Sequence, residues 1–241
     1  MSHFIAELIG TTLLVLLGDG VVANVLLNKS KGQGGGWIVI TAGWGFAVMV
    51  GAYSVGAISG AHLNPAVSIG LAAIGKLSWS EVPTYVAAQM IGAMIGAIAV
   101  WLVYLPHWGI TEDKGAVRGV FCTAPAVRHT TGNLLSEIIG TCVLVFGALA
   151  IPSTRNLIED GFAKGFGPLL VGFLVWSIGL SLGGPTGYAI NPARDLGPRI
   201  IHALLPIPGK IHSDWGYAWI PVIGPIIGGV LGAVFYKLSG L

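Results

Sequence analysis

Ser59-Gly60-Ala61-His62-Leu63-Asn64-Pro65-Ala66 and Gly187-Tyr188-Ala189-Ile190-Asn191-Pro192-Ala193-Arg194 are the two stretches that decide how this chain folds. Asn favours a helix N-cap because its side-chain oxygen accepts from the first free N–H groups. Pro suits the first helical turn, where its missing N–H costs nothing. Asn-Pro-Ala is therefore a helix start with a physical cause. The apolar runs that follow, about 65–75 and 192–204, fall short of the roughly 20 residues that cross a bilayer. A helix that begins inside a membrane survives only buried in protein or lining a watery cavity. One such box fits a capped surface helix. Two, each behind a Gly-containing apolar approach, point to a pair of re-entrant half-helices.

Six longer apolar stretches lie around them, at about 4–27, 37–58, 82–104, 134–151, 166–183 and 217–238. The expectation is an all-α membrane protein with six transmembrane helices plus the two half-helices. Composition agrees: 54% of the 241 residues are hydrophobic and 9% are charged, against about 25% charged in a soluble domain. The 38 glycines suit close helix–helix contact in lipid. A net charge of +2 drawn from so few charges leaves no nucleic-acid footprint. Cys122 and Cys142 have no metal-ligand spacing, so neither a disulfide nor a metal site is inferred. No nucleophile–base pair or cofactor motif marks an enzyme. The opening Met1-Ser2-His3 lacks a basic leader, so the first apolar run reads as a permanent span rather than a signal peptide.

The two halves repeat one another. Ala6-Glu7-Leu8-Ile9-Gly10-Thr11 returns as Ser136-Glu137-Ile138-Ile139-Gly140-Thr141, and Ile91-Gly92-Ala93-Met94-Ile95-Gly96-Ala97 returns as Ile223-Gly224-Pro225-Ile226-Ile227-Gly228-Gly229. The Asn-Pro-Ala boxes take corresponding places between them. This predicts one channel domain over 1–241, with a first repeat at about 4–104, a connection at about 105–133 and a second repeat at about 134–241. Each half holds an odd number of spans, so the second enters from the opposite side as an inverted repeat. The half-helices then aim their N-termini at one another near the midplane. Two positive dipole ends and two Asn amides there offer donors to a passing oxygen and repel cations. The physics describes a pore for neutral polar molecules.

With both boxes intact, the chain resembles the aquaporin superfamily (major intrinsic proteins) over nearly its whole length, and within it the aquaglyceroporins or bacterial glycerol facilitators. The resemblance implies the aquaporin fold, one pore per subunit and a homotetramer in the cell membrane. It places the pore centre at Asn64, Pro65, Ala66, Asn191, Pro192 and Ala193, and a selectivity filter at Trp44, Gly179, Tyr188 and Arg194. Water-selective members typically carry His where this chain has Gly179 and Phe where it has Trp44. Loss of the imidazole opens space for a second aromatic ring, so Trp44 and Tyr188 would face a carbon skeleton while Arg194 donates to hydroxyls. Tyr188 departs mildly from the Phe usual in glycerol facilitators. His62 resembles a pore-lining vestibule residue, and Tyr104, Asp195, Arg199, Pro221 and Val222 match the glycerol-type pattern. Implied permeants are glycerol and water, then dihydroxyacetone, urea, hydrogen peroxide and undissociated lactic acid, with ions and protons excluded. The rival readings are a water-selective aquaporin, an ion-coupled secondary transporter and a structural membrane protein with a vestigial pore.

Individual residues carry competing readings. Arg194 alone would fit an interfacial Arg snorkelling to headgroups, and Trp44 an aromatic belt; the place of Arg194 beside the second box, and the combination of Trp44 with Gly179 and Tyr188, favour pore lining. Glu7 and Glu137 are acids inside spans, which are costly, and are read as structural acceptors for irregular backbone beside each half-helix. Asp19 is assigned a rim or loop contact. His107, His129, His202 and His212 receive only a surface reading. The 105–133 connection, with Glu112, Asp113, Lys114, Arg118, Arg128 and His129, is expected to fold over the outer mouth with its charges solvated. The short flanks fit a prokaryotic protein. Family likeness puts the termini in the cytoplasm, whereas the positive-inside rule leans the other way. Lys76, Arg155, Lys164 and Lys237 would then lie inside, against Lys29, Lys31, Lys114, Arg118, Arg128 and Lys210 outside.

Overall fold

Every stretch marked as a span forms a helix in the computed structural model, which describes residues 1–153 and 162–241, with backbone alone for 162–164. The first half holds α1 (His3–Leu26), α2 (Trp37–Ser59), the half-helix α3 (Pro65–Ala73) and α4 (Val82–Val103). Two short helices follow, α5 (Leu105–Ile110) and α6 (Lys114–Phe121). The second half holds α7 (Thr130–Ala150), α8 (Phe162–Leu182), the half-helix α9 (Pro192–Leu204) and α10 (Ile220–Ser239). Among the described residues all regular structure is helical. Six helices, α1, α2, α4, α7, α8 and α10, are long and apolar enough to cross a membrane. The protein is a multi-pass membrane protein.

The spans show how a helix can be apolar on every side and still have an inside. In α4, Ile91 and Ile95 are exposed while Gly92 and Gly96 turn inward; in α10, Ile223, Ile227 and Leu231 are exposed while Gly224, Gly228 and Gly232 turn inward. The large side chains meet lipid, and the glycines let backbones touch. A Cβ on Gly92 would lie 2.5 Å from the Leu8 carbonyl oxygen, and one on Gly228 would lie 2.2 Å from that of Ile138. Thus α4 packs on α1 as α10 packs on α7.

The halves are also interlocked. Half-helix α3 packs against α10 of the second half, and α9 against α4 of the first. Where α2 meets α8, Gly45 and Gly172 face each other: a Cβ on either would come within 2.8 Å of the other's carbonyl oxygen. These exchanged contacts bring the two half-helix N-termini together.

Three expectations need correction. Asp19, expected at a rim or loop contact, is fully buried on α1 and pairs with Arg194. The 105–133 connection is not merely a solvated loop. Trp108, Val117, Val120 and Phe121 are buried, and the Trp108 and Phe121 rings lie 5.4 Å apart. Its cations are also engaged. Lys114 donates to the Thr111 carbonyl over 2.7 Å, and Arg128 pairs with Asp214. His202 is not on the surface either. It is fully buried, with Nδ1 2.8 Å from the Ser213 hydroxyl, because residues 205–217 fold back over the end of α9. Of the charges weighed for orientation, Arg155 and the side chain of Lys164 lie outside the described residues.

Candidate permeation site

Asn64 and Asn191 cap the two half-helices and also cross-link them. Asn64 Oδ1 accepts from the Ala66 N–H at 2.9 Å, and Asn191 Oδ1 accepts from those of Ala193 and Arg194 at 3.0 and 3.2 Å. Each amide nitrogen then donates across the junction, Asn64 to the Ile190 carbonyl and Asn191 to the Leu63 carbonyl, both at 2.8 Å. An amide nitrogen carries two hydrogens, so each Asn keeps one donor beyond the bond that fixes it. Two helix N-termini with their positive ends together and two oriented donors are an arrangement that can hydrogen-bond an uncharged oxygen and would oppose a cation.

The approaches to the boxes are left-handed at matching positions. Gly60, Ala61 and Leu63 have φ of 81°, 49° and 51°; Gly187, Tyr188 and Ile190 have 78°, 38° and 44°. Non-glycine residues hold this conformation only when the surroundings over-determine it, and here two buried acids do so. Glu7 accepts from the Ser59 hydroxyl, the His62 and Leu63 N–H groups and the Gln89 amide, at 2.6 to 2.9 Å. Glu137 accepts from the Thr186 hydroxyl and the Ala189 and Ile190 N–H groups, at 2.7 to 3.0 Å. A charge in a membrane span is tolerable when such a set of donors surrounds it.

A cavity of about 870 Å³ runs past these elements. Trp44, Tyr188 and Arg194 line it together with Asn64, Asn191 and His62. The Arg194 guanidinium carbon lies 3.8 Å from the Trp44 ring centroid, a cation–π stack. Gly179 is not part of the lining but stands behind Tyr188: a Cβ there would lie 2.7 Å from Tyr188 Cζ. The ring thus occupies space that any side chain at 179 would need. Trp37 braces it edge-on, with centroids 5.9 Å apart, and donates its indole N–H to the Gly179 carbonyl. Trp44 Nε1 and the Tyr188 hydroxyl are buried and have no hydrogen-bond partner among the described residues. His62 has Nδ1 3.0 Å from the Ser68 hydroxyl and its ring against Tyr85.

Residues 1–236 match the family model described as major intrinsic protein. A probable glycerol uptake facilitator protein of Thermotoga maritima is 64% identical over 98% of this chain and 99% of its own length. A glycerol uptake facilitator protein of Bacillus subtilis is 59% identical over 99% of this chain and 85% of its own. The X-ray structure of the aquaglyceroporin from Plasmodium falciparum superposes with a TM-score of 0.86 at 33% identity, over 98% of this chain and 94% of that one. The chain belongs to the major intrinsic protein family. A D/L-lactic acid transporter of Lactiplantibacillus plantarum is 39% identical over 98% of this chain and 96% of its own.

In this member of the major intrinsic proteins, the remaining residues singled out by sequence lie outside the cavity lining. Asp195 and Arg199 are fully buried and bound to each other through Arg199 Nε and Nη2, at 2.8 and 2.9 Å. Arg199 also donates to the carbonyls of Thr123, Ser213 and Asp214, while Asp195 accepts from the Thr123 N–H and hydroxyl. This pair clamps the loops that follow α6 and α9 onto the half-helix carrying Arg194. Tyr104 caps α4 and donates to the Gly20 carbonyl at 3.3 Å. Pro221 and Val222 open α10 and do not line the cavity. A contributor that sequence reasoning missed is Lys210, whose ammonium donates to the carbonyls of His202, Ala203 and Leu205 at the end of α9. A cation just beyond a helix C-terminus is the signal that would have found it.

Proposed function

We propose that this chain is a passive channel for glycerol and other small neutral solutes, with water, and that Trp44, Gly179, Tyr188 and Arg194 form its selectivity filter. The observation that carries this reading is the seating of Tyr188 in the space left by Gly179, in the same cavity wall as Arg194 stacked on Trp44. Two aromatic rings offer an apolar side to a carbon chain, and the guanidinium offers donors to its hydroxyls. Beyond the filter, the Asn64 and Asn191 amides receive the next hydroxyl while the facing helix dipoles oppose cations. The names of the glycerol uptake facilitators and the aquaglyceroporin support the same cargo. No covalent chemistry is required.

The molecule is proposed to work as a homotetramer in a bacterial cell membrane, one pore per subunit, with cytoplasmic termini and the α5–α6 segment outside. The adverse charge count weighs less in this light, because Lys114, Arg128 and Lys210 are tied to carbonyls or Asp214. The test is labelled-glycerol uptake into proteoliposomes with an imposed proton gradient, sodium gradient or membrane potential. Uptake that equilibrates and ignores all three is the expected result; accumulation driven by any of them would make the chain a coupled transporter instead.

A further inference from the structure

The wall behind Arg194 carries an acid that the proposed function leaves unused. Asp19 lies on α1 within Gly18-Asp19-Gly20 and is fully buried. Its Oδ1 stands 3.4 Å from Arg194 Nη1, and its Oδ2 has no hydrogen-bond partner among the described residues. Among the same residues Asp19 is the one hydrogen-bond partner of the Arg194 side chain, which is itself only 7% exposed. The neighbours of Asp19 serve the same wall. A Cβ on Gly18 would come within 2.1 Å of the Trp44 ring, so that ring lies directly on α1. The Gly20 carbonyl accepts from Tyr104.

A lone carboxylate in a span is costly, and so is a lone guanidinium in a narrow pore; together each compensates the other. Trp44 supplies the flat surface and Asp19 the anchor. An Arg held by both presents its remaining N–H groups to a solute without swinging across the lumen. Released from the acid, the long side chain gains rotamers that narrow the pore, and its uncancelled charge holds water or an anion there. Water passes such an obstruction more readily than a three-carbon polyol does.

We propose that Asp19 is a positioning residue for solute selection, acting through Arg194: it fixes the guanidinium against Trp44 and cancels its charge. This rests on the assignment of Arg194 to the filter. The test compares the native chain, Asp19→Asn, Arg194→Gln and the double variant in proteoliposomes, reading the ratio of glycerol to water permeability by stopped-flow light scattering. The ratio does not depend on how much protein reconstitutes, so a merely structural role would leave it unmoved. Asp19→Asn is expected to lower it about three- to tenfold, as coupled neighbours do, and to have no further effect once Arg194 is Gln. Asp19→Glu should restore much of the native ratio. An unchanged ratio in Asp19→Asn, with a shifted one in Arg194→Gln, would overturn the inference and leave the filter standing. An equal fall with and without Arg194 would also overturn it, because Asp19 would then act on its own. If Arg194→Gln itself changes nothing, the filter assignment fails first. Should Asp19→Asn not fold, thermal stability of the double variant in detergent decides: recovery on removing both charges supports the pairing, and no recovery refutes it.

Discussion

Ala61, Leu63, Tyr188 and Ile190 hold positive φ without being glycine, at about 1–2 kcal/mol each, and Glu7 and Glu137 are the groups that offset it. Removing an acceptor that serves several buried donors leaves each of them unpaired. Glu137→Ala is therefore expected to cost about 3–5 kcal/mol, seen as a lower unfolding temperature in detergent; an unchanged transition would show that the loop holds itself. In the proposed filter, Gly179 acts by what it lacks. Gly179→His would drive a side chain into Tyr188, whose Cζ lies 2.7 Å from the new Cβ position. Glycerol permeability should fall by about tenfold or more with water affected less, and equal loss of both would argue against a size filter at this point. Some of this was legible in the sequence. The Asn-Pro-Ala boxes name their own caps, and the doubled Glu-x-Ile-Gly-Thr pattern flags two acids. The left-handed backbone was not legible, since Ala, Leu, Tyr and Ile carry no turn signal. Nor was the burial of His202, which depends on a distant loop folding back over it.

Half-helix α9 is built as a platform. Its N-terminus is fixed by Asn191, its middle by the Asp195–Arg199 pair, and its C-terminus by Lys210. Breaking one partner of a buried pair strands the other charge. Arg199→Met should destabilise the protein by about 3–5 kcal/mol, whereas replacing Asp195 and Arg199 together by apolar residues should cost less. Thermal unfolding of the single and double variants checks this; equal losses would mean that the loop carbonyls, not the ion pair, carry the effect. The spans themselves were legible because length and apolarity suffice to mark them. Helices α5 and α6 were not, being too short for that signal. Yet Val117, Val120 and Phe121 recur at helical spacing on one buried face, which a search for short amphipathic turns would have found among the charges.

At the scale of the whole molecule, the proposed selectivity comes from an exchange of parts between the two halves. Because α3 leans on α10 and α9 on α4, neither half can form the junction of Asn64 and Asn191 alone. On the proposed function, such a site admits uncharged oxygens and excludes net charge. Uptake of a small hydroxy acid should therefore follow its undissociated fraction, falling as the external pH rises above the acid's pKa, as measured with labelled lactic acid in proteoliposomes. Flux independent of pH would mean that the anion passes and that the dipole barrier does not act.

The proposed filter passes a polyol rather than water alone. Stopped-flow light scattering on proteoliposomes tests it directly, comparing shrinkage in an impermeant osmolyte with shrinkage and re-swelling in glycerol. Fast shrinkage in both and fast re-swelling in glycerol, well above empty liposomes, are the expected result. Fast shrinkage with re-swelling no faster than in empty liposomes would contradict it and make the chain a water channel.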